Sequence, residues 1–186
     1  MPLSQPPEYP SARATDVVDD CFGVRVGDPY RWLEDADSPE TLVWVEAQNA
    51  LTRSVLAGAR RERIAERLTR LFNYPRTGVP FERGGRYFFT HNTGLQNQPI
   101  LYVQDEADAR PRVLLDPNAL SPDGTVALTA LSVSEDGSLL AYALSKSGSD
   151  WQGIAIREIA SGHDLPDVVG WLKFASIAWV HDGSGF

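Results

Sequence analysis

Ser132-Val133-Ser134-Glu135-Asp136-Gly137-Ser138 has a near copy in Ala178-Trp179-Val180-His181-Asp182-Gly183-Ser184, 46 positions further on (182 − 136). In both, a short apolar run leads into Asp-Gly. That dipeptide closes tight hairpins, because Gly accepts the positive φ the turn demands and Asp bonds to its own backbone. A weaker copy lies upstream, where Gly85-Arg86-Tyr87-Phe88-Phe89 precedes Gly137-Ser138-Leu139-Leu140-Ala141 by 52 positions (137 − 85). Periods of about 40 to 50 residues with four strands each are the signature of β-propeller blades. The runs Arg86 to Thr90, Ile100 to Gln104, Val113 to Leu115, Val126 to Leu131, Leu139 to Leu144, Ile154 to Ile159 and Ser176 to Val180 are β-rich. Gly, Asp, Asn and Pro turn signals separate them. From residue 76 onward the spacing predicts an all-β architecture, with an ordinary sandwich as the competing arrangement.

Upstream of that region the texture is helical. Ser38 and Pro39 supply an N-cap and a first helical position, and Glu40 puts a carboxylate at the positive end of the helix dipole. Trp44, Ala47, Leu51 and Val55 then mark one apolar face of a helix from about Pro39 to Ala57. A second helix is predicted from about Arg60 to Phe72, with Ile64, Leu68, Leu71 and Phe72 on one side. Asn73-Tyr74-Pro75 stops it, since the residue before a proline is pushed out of the helical region. A domain boundary is placed there, giving segments 1–74 and 75–186. Ahead of the helices, Asp28-Pro29-Tyr30-Arg31-Trp32-Leu33-Glu34-Asp35 reads as a packed loop. Thr15 to Val26 reads as one or two brief strands around Gly23. Asp19 and Asp20 are adjacent carboxylates, but neighbours on an extended segment point to opposite faces, which argues against a catalytic acid pair.

The 186 residues carry a formal net charge of −8 with 42% hydrophobic residues, an ordinary soluble balance. An acidic chain argues against nucleic acid or anionic membrane as the main partner, because both need clustered Lys and Arg. Arg60, Arg61, Arg63, Arg67 and Arg70 do cluster, but Glu62 and Glu66 are interleaved, as on a solvated helix face. Cys21 is the single cysteine, so no internal disulfide is possible and a cysteine-based metal site is not expected. Residues 1 to 7 show neither a basic nor an apolar signal region, and no run approaches the ~18 apolar residues of a membrane span. The expected location is cytoplasmic. The sequence stops at Gly183-Ser184-Gly185-Phe186, just after a hairpin signal, and two blades with a start cannot close a ring. A portion of a longer protein is therefore expected.

A serine hydrolase places its nucleophile on a Gly-x-Ser-x-Gly elbow. Neither Gly183-Ser184-Gly185 nor Gly148-Ser149-Asp150 has that spacing. His91, His163 and His181 follow no metal-ligand pattern, and Glu82-Arg83-Gly84-Gly85 is a turn and not a phosphate loop. No cofactor and no metal are expected. Read from the residues alone, Phe174 is open between a strand-end core aromatic and a pocket wall. Asp150 is likewise open between an exposed turn carboxylate and an interface acid.

The run Asp28 to Asp35, followed by Trp44-Val45-Glu46-Ala47-Gln48-Asn49, closely resembles the N-terminal signature of the prolyl oligopeptidases, serine peptidases that cut short peptides after proline. Asn73-Tyr74-Pro75, Asn92-Thr93-Gly94-Leu95-Gln96-Asn97-Gln98, Leu115-Asp116-Pro117-Asn118, Gly148-Ser149-Asp150-Trp151, Lys173-Phe174 and Ala178 to Gly183 continue the resemblance in family order. Glu34-Asp35, Gln48-Asn49 and Gly94 to Gln98 are closer to the proline-specific branch than to relatives that cut after basic residues. The resemblance implies a mixed fold. Residues 1–74 are an N-terminal helical segment that packs onto an α/β-hydrolase domain, and 75–186 are the first two blades and the start of the third of a seven-bladed β-propeller. It implies short proline-containing peptides as substrates and a propeller that filters them by size. It also implies a C-terminal hydrolase domain, carrying the Ser-Asp-His triad, that has no counterpart in this sequence. Phe174 matches the family phenylalanine beside the proline site. Asp150 matches an acid at the propeller–hydrolase interface. On this reading the chain alone is inactive. The competing reading is a non-enzymatic β-propeller interaction module.

Overall fold

The computed structural model of the chain describes residues 7–181 and 185–186. These form two compact units that divide between Arg67 and Leu68.

In the first unit, β1 (Val18–Cys21) and β2 (Val24–Gly27) form an antiparallel hairpin. Its turn residues Phe22 and Gly23 both have positive φ, 55° and 86°, the twist that suits a two-residue hairpin. Asp19 and Asp20 point apart as their spacing requires: Asp20 Oδ1 accepts from the Gly23 N–H at 2.6 Å, while Asp19 pairs with Arg31. Arg31 to Glu34 make a 3-10 turn. Arg31 Nε donates to Asp28 Oδ2 at 2.5 Å, and these two carboxylates raise the Arg31 pKa, the Asp28 hydrogen bond most of all. Trp32 Nε1 donates to the Arg13 carbonyl at 2.7 Å. The Arg13 guanidinium lies 5.5 Å from the Trp32 ring centroid and forms a fork to Glu40 at 2.7 and 2.8 Å. Asp28–Asp35 thus ties the extended N-terminal segment to the next helix.

That helix, α1 (Pro39–Leu56), starts where its cap predicts: Ser38 Oγ accepts from the Thr41 N–H at 3.2 Å. Its more buried positions are Thr41, Trp44, Gln48 and Leu51, while Ala47 and Val55 are exposed. The covered face is therefore rotated from the one the apolar spacing marks. Polar Gln48 is on it because its Nε2 donates to the Pro10 carbonyl at 3.2 Å. α2 (Ala59–Phe72) buries no residue, and Ile64, Leu68, Leu71 and Phe72 remain about half exposed.

The second unit is built from two antiparallel meanders. In the first, β5 (Arg86–Asn92) pairs on one side with β6 (Ile100–Gln104), which pairs with β7 (Arg112–Leu115). On its other side β5 pairs with β3 (Arg76–Thr77) and then β4 (Phe81–Arg83). Gly78, Val79 and Pro80 separate those two short strands, and Pro80 has no N–H to add to a ladder. In the second meander β8 (Val126–Val133), β9 (Leu139–Lys146), β10 (Trp151–Glu158) and β11 (Asp164–Lys173) pair in sequence order. One buried cluster draws on both sheets: Phe88, Leu101, Val103, Leu114 and Leu115 from the first, Val133, Leu140, Tyr142 and Ile159 from the second. Alternation along β9 sends Ala141 and Ala143 to the opposite face, with Ile154. Consecutive up-and-down sheets stacked face to face fit the build of propeller blades.

The Gly85 and Gly137 segments of the weaker repeat sit at equivalent turns. Gly84 and Gly85 turn β4 into β5, and Asp136 and Gly137 turn β8 into β9. The two turns touch, and Arg86 Nη1 donates to the Gly137 carbonyl at 2.7 Å. Further cross-sheet bonds run from Arg112 Nη2 to the Ile159 carbonyl at 2.6 Å and from Arg157 Nη1 to the Leu114 carbonyl at 2.6 Å. Arg157 also forks onto Asp164 at 2.7 and 2.9 Å, and Tyr142 Oη donates to Asp164 Oδ1 at 2.9 Å. Burial, aided by the Asp164 hydrogen bond, pushes the Tyr142 phenol up to about 12, and Arg157 lowers the Asp164 pKa.

One expected strand needs correction, and one observed strand is unforeseen. Ser176–Val180 is not a strand, because no strand pairs with it among the described residues. Ile177 and Trp179 nevertheless pack on the Ala141, Ala143 and Ile154 face, and Trp179 Nε1 donates to the Ser132 carbonyl at 3.0 Å. Asp164–Lys173, which no sequence signal marks, is the longest strand. Its Pro166 and Gly170 break the alternation, and the β10–β11 ladder absorbs them at two register shifts. The repeat's Asp182, Gly183 and Ser184 lie outside the described residues.

Candidate functional site

Asp150 and Phe174 are far apart in sequence, and the β10–β11 ladder brings them to one end of the second sheet. Antiparallel pairing sets Trp151, the first residue of β10, opposite Lys173, the last of β11. Asp150 sits just before that pair and Phe174 just after it. The turn delivering Asp150 is tight: Ser147 and Gly148 have φ of 51° and 73°, the Ser149 N–H bonds the Lys146 carbonyl at 2.9 Å, and Ser149 Oγ accepts from the Trp151 N–H at 3.1 Å.

Lys173 links the two candidate residues. Its Nζ lies 3.3 Å from Asp150 Oδ2 and 5.5 Å from the ring centroids of both Trp151 and Phe174. An ammonium over an aromatic face is attracted by the ring quadrupole, so Lys173 holds the turn acid and the two rings in one group. Trp171 completes it, edge-to-face with Trp151 at 5.7 Å between centroids and 76° between planes. These rings are outward: Phe174 is 80% exposed, Trp171 84% and Trp151 50%. Phe174 is therefore not packed in the core of the described residues, and Asp150 is a partly exposed turn carboxylate in an ion pair.

The backbone supports that outward display. Gln152 faces Leu172 and Ile154 faces Val169, so β11 carries one more residue than β10 across this interval. Trp171 lies in that bulge with φ 57°, and Phe174 follows with φ 52°. A left-handed conformation is sterically costly for a bulky residue and clusters at functional positions when the surroundings hold it in place. The patch presents aromatic surface and an internally neutralised Lys–Asp pair. That chemistry suits binding an uncharged, partly apolar ligand, and the patch contains no nucleophile paired with a base.

Trp151 and Lys173 adjoin Asp150 and Phe174 in the chain, but no local pattern gives them a role. Trp171 lies in the strand that the turn-like Pro166 and Gly170 conceal. The histidines stand elsewhere: His91 Nδ1 is 2.9 Å from Thr77 Oγ1, and His181 Nδ1 is 3.0 Å from Glu135. Among the described residues no group of three or more His, Cys, Asp or Glu side chains could hold a metal ion. No helix among them is long and apolar enough to cross a membrane.

Residues 9–186 match the family profile described as "Prolyl oligopeptidase, N-terminal beta-propeller domain". The prolyl endopeptidase of Elizabethkingia meningoseptica is 36% identical over 180 residues, which cover 96% of this chain and 25% of that protein. A solved prolyl endopeptidase structure superposes with a TM-score of 0.79 at 39% identity, over 96% of this chain and 27% of the other. Prolyl oligopeptidase B from Galerina marginata, bound to a 35mer hydrolysis and macrocyclization substrate, superposes with a TM-score of 0.73 at 32% identity, over 96% and 29% of the two chains. The chain belongs to the prolyl oligopeptidase family, matching it in the N-terminal β-propeller domain. It spans about a quarter of the length of the curated relatives it matches.

Proposed function

We propose that this chain is the N-terminal part of a serine endopeptidase that cleaves short peptides after proline. Residues 1–74 serve as the segment that packs onto an α/β-hydrolase domain, and 75–186 as the first two blades and the start of the third of a seven-bladed propeller. The propeller admits short peptides and keeps folded proteins from the triad. Phe174 lines the apolar pocket beside the substrate proline, and Asp150 lies at the propeller–hydrolase interface. The protein works in the cytoplasm on peptides, without cofactor, nucleic acid or membrane.

The observation that carries this reading is the similarity to prolyl endopeptidases along nearly the whole chain, 180 residues at 36% identity. The exposed aromatic group around Phe174 supports a peptide-facing surface. The sequence contains no Gly-x-Ser-x-Gly elbow, and removing triad members leaves only feeble catalysis even where the rest of a site persists. The chain by itself therefore does not hydrolyse peptides at proline. A fluorogenic Gly-Pro substrate should turn over at the buffer rate with the purified chain, and rapidly with a polypeptide of the relatives' length that begins with this chain. Turnover by the chain alone that survives further purification overturns the inactivity. No turnover by the long polypeptide, with its propeller intact, favours a non-enzymatic interaction module.

A further inference from the structure

We propose that Asp105 is the pin of a salt-sensitive latch that fastens the first sheet of the second unit to the second sheet at one end. The latch is independent of the peptidase reading. Three strands deliver its parts. Arg86 opens β5, Asp105 directly follows β6, and Arg112 opens β7. The Tyr87–Gln104 pairing brings Arg86 and Asp105 to facing positions, and Arg112 faces Val103, just before Asp105 on the same strand direction. The carboxylate lies between the two cations: Arg86 Nε donates to Oδ1 at 2.9 Å, and Arg112 Nε stands 4.0 Å from Oδ2. Each guanidinium then uses its far end on the other sheet. Arg86 Nη1 donates to the Gly137 carbonyl at 2.7 Å, and Arg112 Nη2 to the Ile159 carbonyl at 2.6 Å. Those two acceptors belong to one edge of the second sheet, because the Ile159 N–H donates to the Ser138 carbonyl at 2.9 Å.

A guanidinium held at one nitrogen can swing, whereas one held at both Nε and Nη is fixed in its plane. Asp105 therefore acts through both arginines: it offsets their charge and turns their free donors toward the second sheet. No Cβ fits on Gly84 or Gly137 where the two turn backbones meet, and that close approach puts the Gly137 carbonyl within reach of Arg86. The buried cluster holds the rest of the interface, so release of the latch frees the turn end and leaves the sheets together. Salt reaches the pin. The Asp105 side chain is 56% exposed and the two arginines 30% and 37%, and mobile ions screen exposed pairs. The same interface supplies an internal reference. Arg157 Nη1 makes a similar reach to the Leu114 carbonyl at 2.6 Å, but its side chain is only 14% exposed, forked onto Asp164 and lying over the Tyr142 ring. Covered pairs are screened much less, so the interface holds one salt-sensitive tie and one salt-resistant tie.

The NMR signals of single backbone carbonyl carbons report the hydrogen bonds those carbonyls accept, and they test the latch in the 186-residue chain below the onset of association. Raising NaCl from about 0.01 M to about 1 M shrinks the screening length from about 30 Å to about 3 Å. The Gly137 and Ile159 signals should move with salt, and the Leu114 signal should stay. Asp105→Asn should shift the same two signals at low salt and remove most of their salt response. It should also speed hydrogen exchange at Arg86 Nε about threefold, the scale of an exposed ion pair. Asp105→Glu should restore part of the salt response. Gly137 and Ile159 signals that ignore salt, that respond equally in Asp105→Asn, or that move no more than Leu114 overturn the latch. The salt series uses the unaltered chain, so it decides the matter even where a variant does not fold.

Discussion

Asp136 Oδ1 accepts from Ser134 Oγ at 2.6 Å, from the Ser138 N–H at 3.0 Å and from Ser138 Oγ at 2.8 Å. These bonds favour the ionised carboxylate, the Ser134 hydroxyl first, and hold its pKa at about 2 against an ordinary 3.8. A carboxylate depressed on folding contributes stability that is complete above its unfolded pKa and disappears as pH falls through the folded value. The gap between the melting temperatures of the wild-type chain and Asp136→Ala should thus be widest above about pH 4 and narrow steadily toward pH 2. A gap independent of pH would assign the loss to the turn backbone and not to the charge. Phe174 makes a different kind of prediction, since at 80% exposure it has little to lose in stability. If Phe174 lines the proposed pocket, Phe174→Ala in the long polypeptide should remove apolar packing against substrate worth roughly 1 to 3 kcal/mol by the usual area coefficient. Binding energy removed equally from ground and transition states raises KM and leaves kcat nearly alone. Steady-state kinetics with a parallel thermal melt checks this, and an unchanged KM with a large loss of stability would make Phe174 a structural residue.

The hairpin elements carry the repeat that the sequence displays, and the physical reason is steric. A Cβ built on Gly84 would stand 2.1 Å from the Asp136 carbonyl oxygen, and φ there is +56°. One on Gly137 would stand 2.7 Å from the Arg83 carbonyl oxygen. Gly84 and Gly137 are therefore each required twice, by their own turn and by the neighbouring turn. Gly84→Ala should lower stability by about 1 to 3 kcal/mol, read from denaturant melts, because backbone and not a flexible side chain must give way. Gly85, at φ +77° with open space around its Cβ, should cost less when changed to Ala. Other elements are legible for equally local reasons. Ser38 and Pro39 announce α1, and β-rich runs bounded by turn signals announce β5, β6, β8 and β9. Strand β11 is hidden because Pro166 and Gly170 look like turn punctuation until a bulged ladder absorbs them. Ser176–Val180 misleads in the opposite sense: its residues suit a strand, but a strand exists only with a pairing partner. Of the candidate patch, Asp150 and Phe174 are marked only by the family resemblance, and the residues alone assign neither a role. The ladder that adds Trp151, Trp171 and Lys173 is a long-range pairing that no local pattern encodes.

At the scale of the whole second unit, the two faces of the β8–β11 sheet have unequal fates. One face, with Leu140 and Tyr142, is sealed against the first sheet. Among the described residues the other, with Ala141, Ala143 and Ile154, is packed against by Ile177, Trp179, Leu172 and Ala130. Beside that cover lies an open cavity of about 730 Å³, lined by Ile154, Ile156, Val169, Leu172, Trp179 and Phe186 among others. Val168 and Val169 on the adjacent strand β11 remain 69% and 43% exposed. Contiguous exposed apolar surface of this kind promotes association, and an edge strand with free backbone groups adds a second route. The purified chain should therefore self-associate as its concentration rises, with weight-average mass by light scattering climbing above the 20.5 kDa of one chain. Val169→Lys places a charge at the mouth of the cavity without entering the sealed core, so it should shift the rise to higher concentration. A monodisperse monomer with a sharp cooperative melt, unchanged by Val169→Lys, would mean that the open face is satisfied within a single chain.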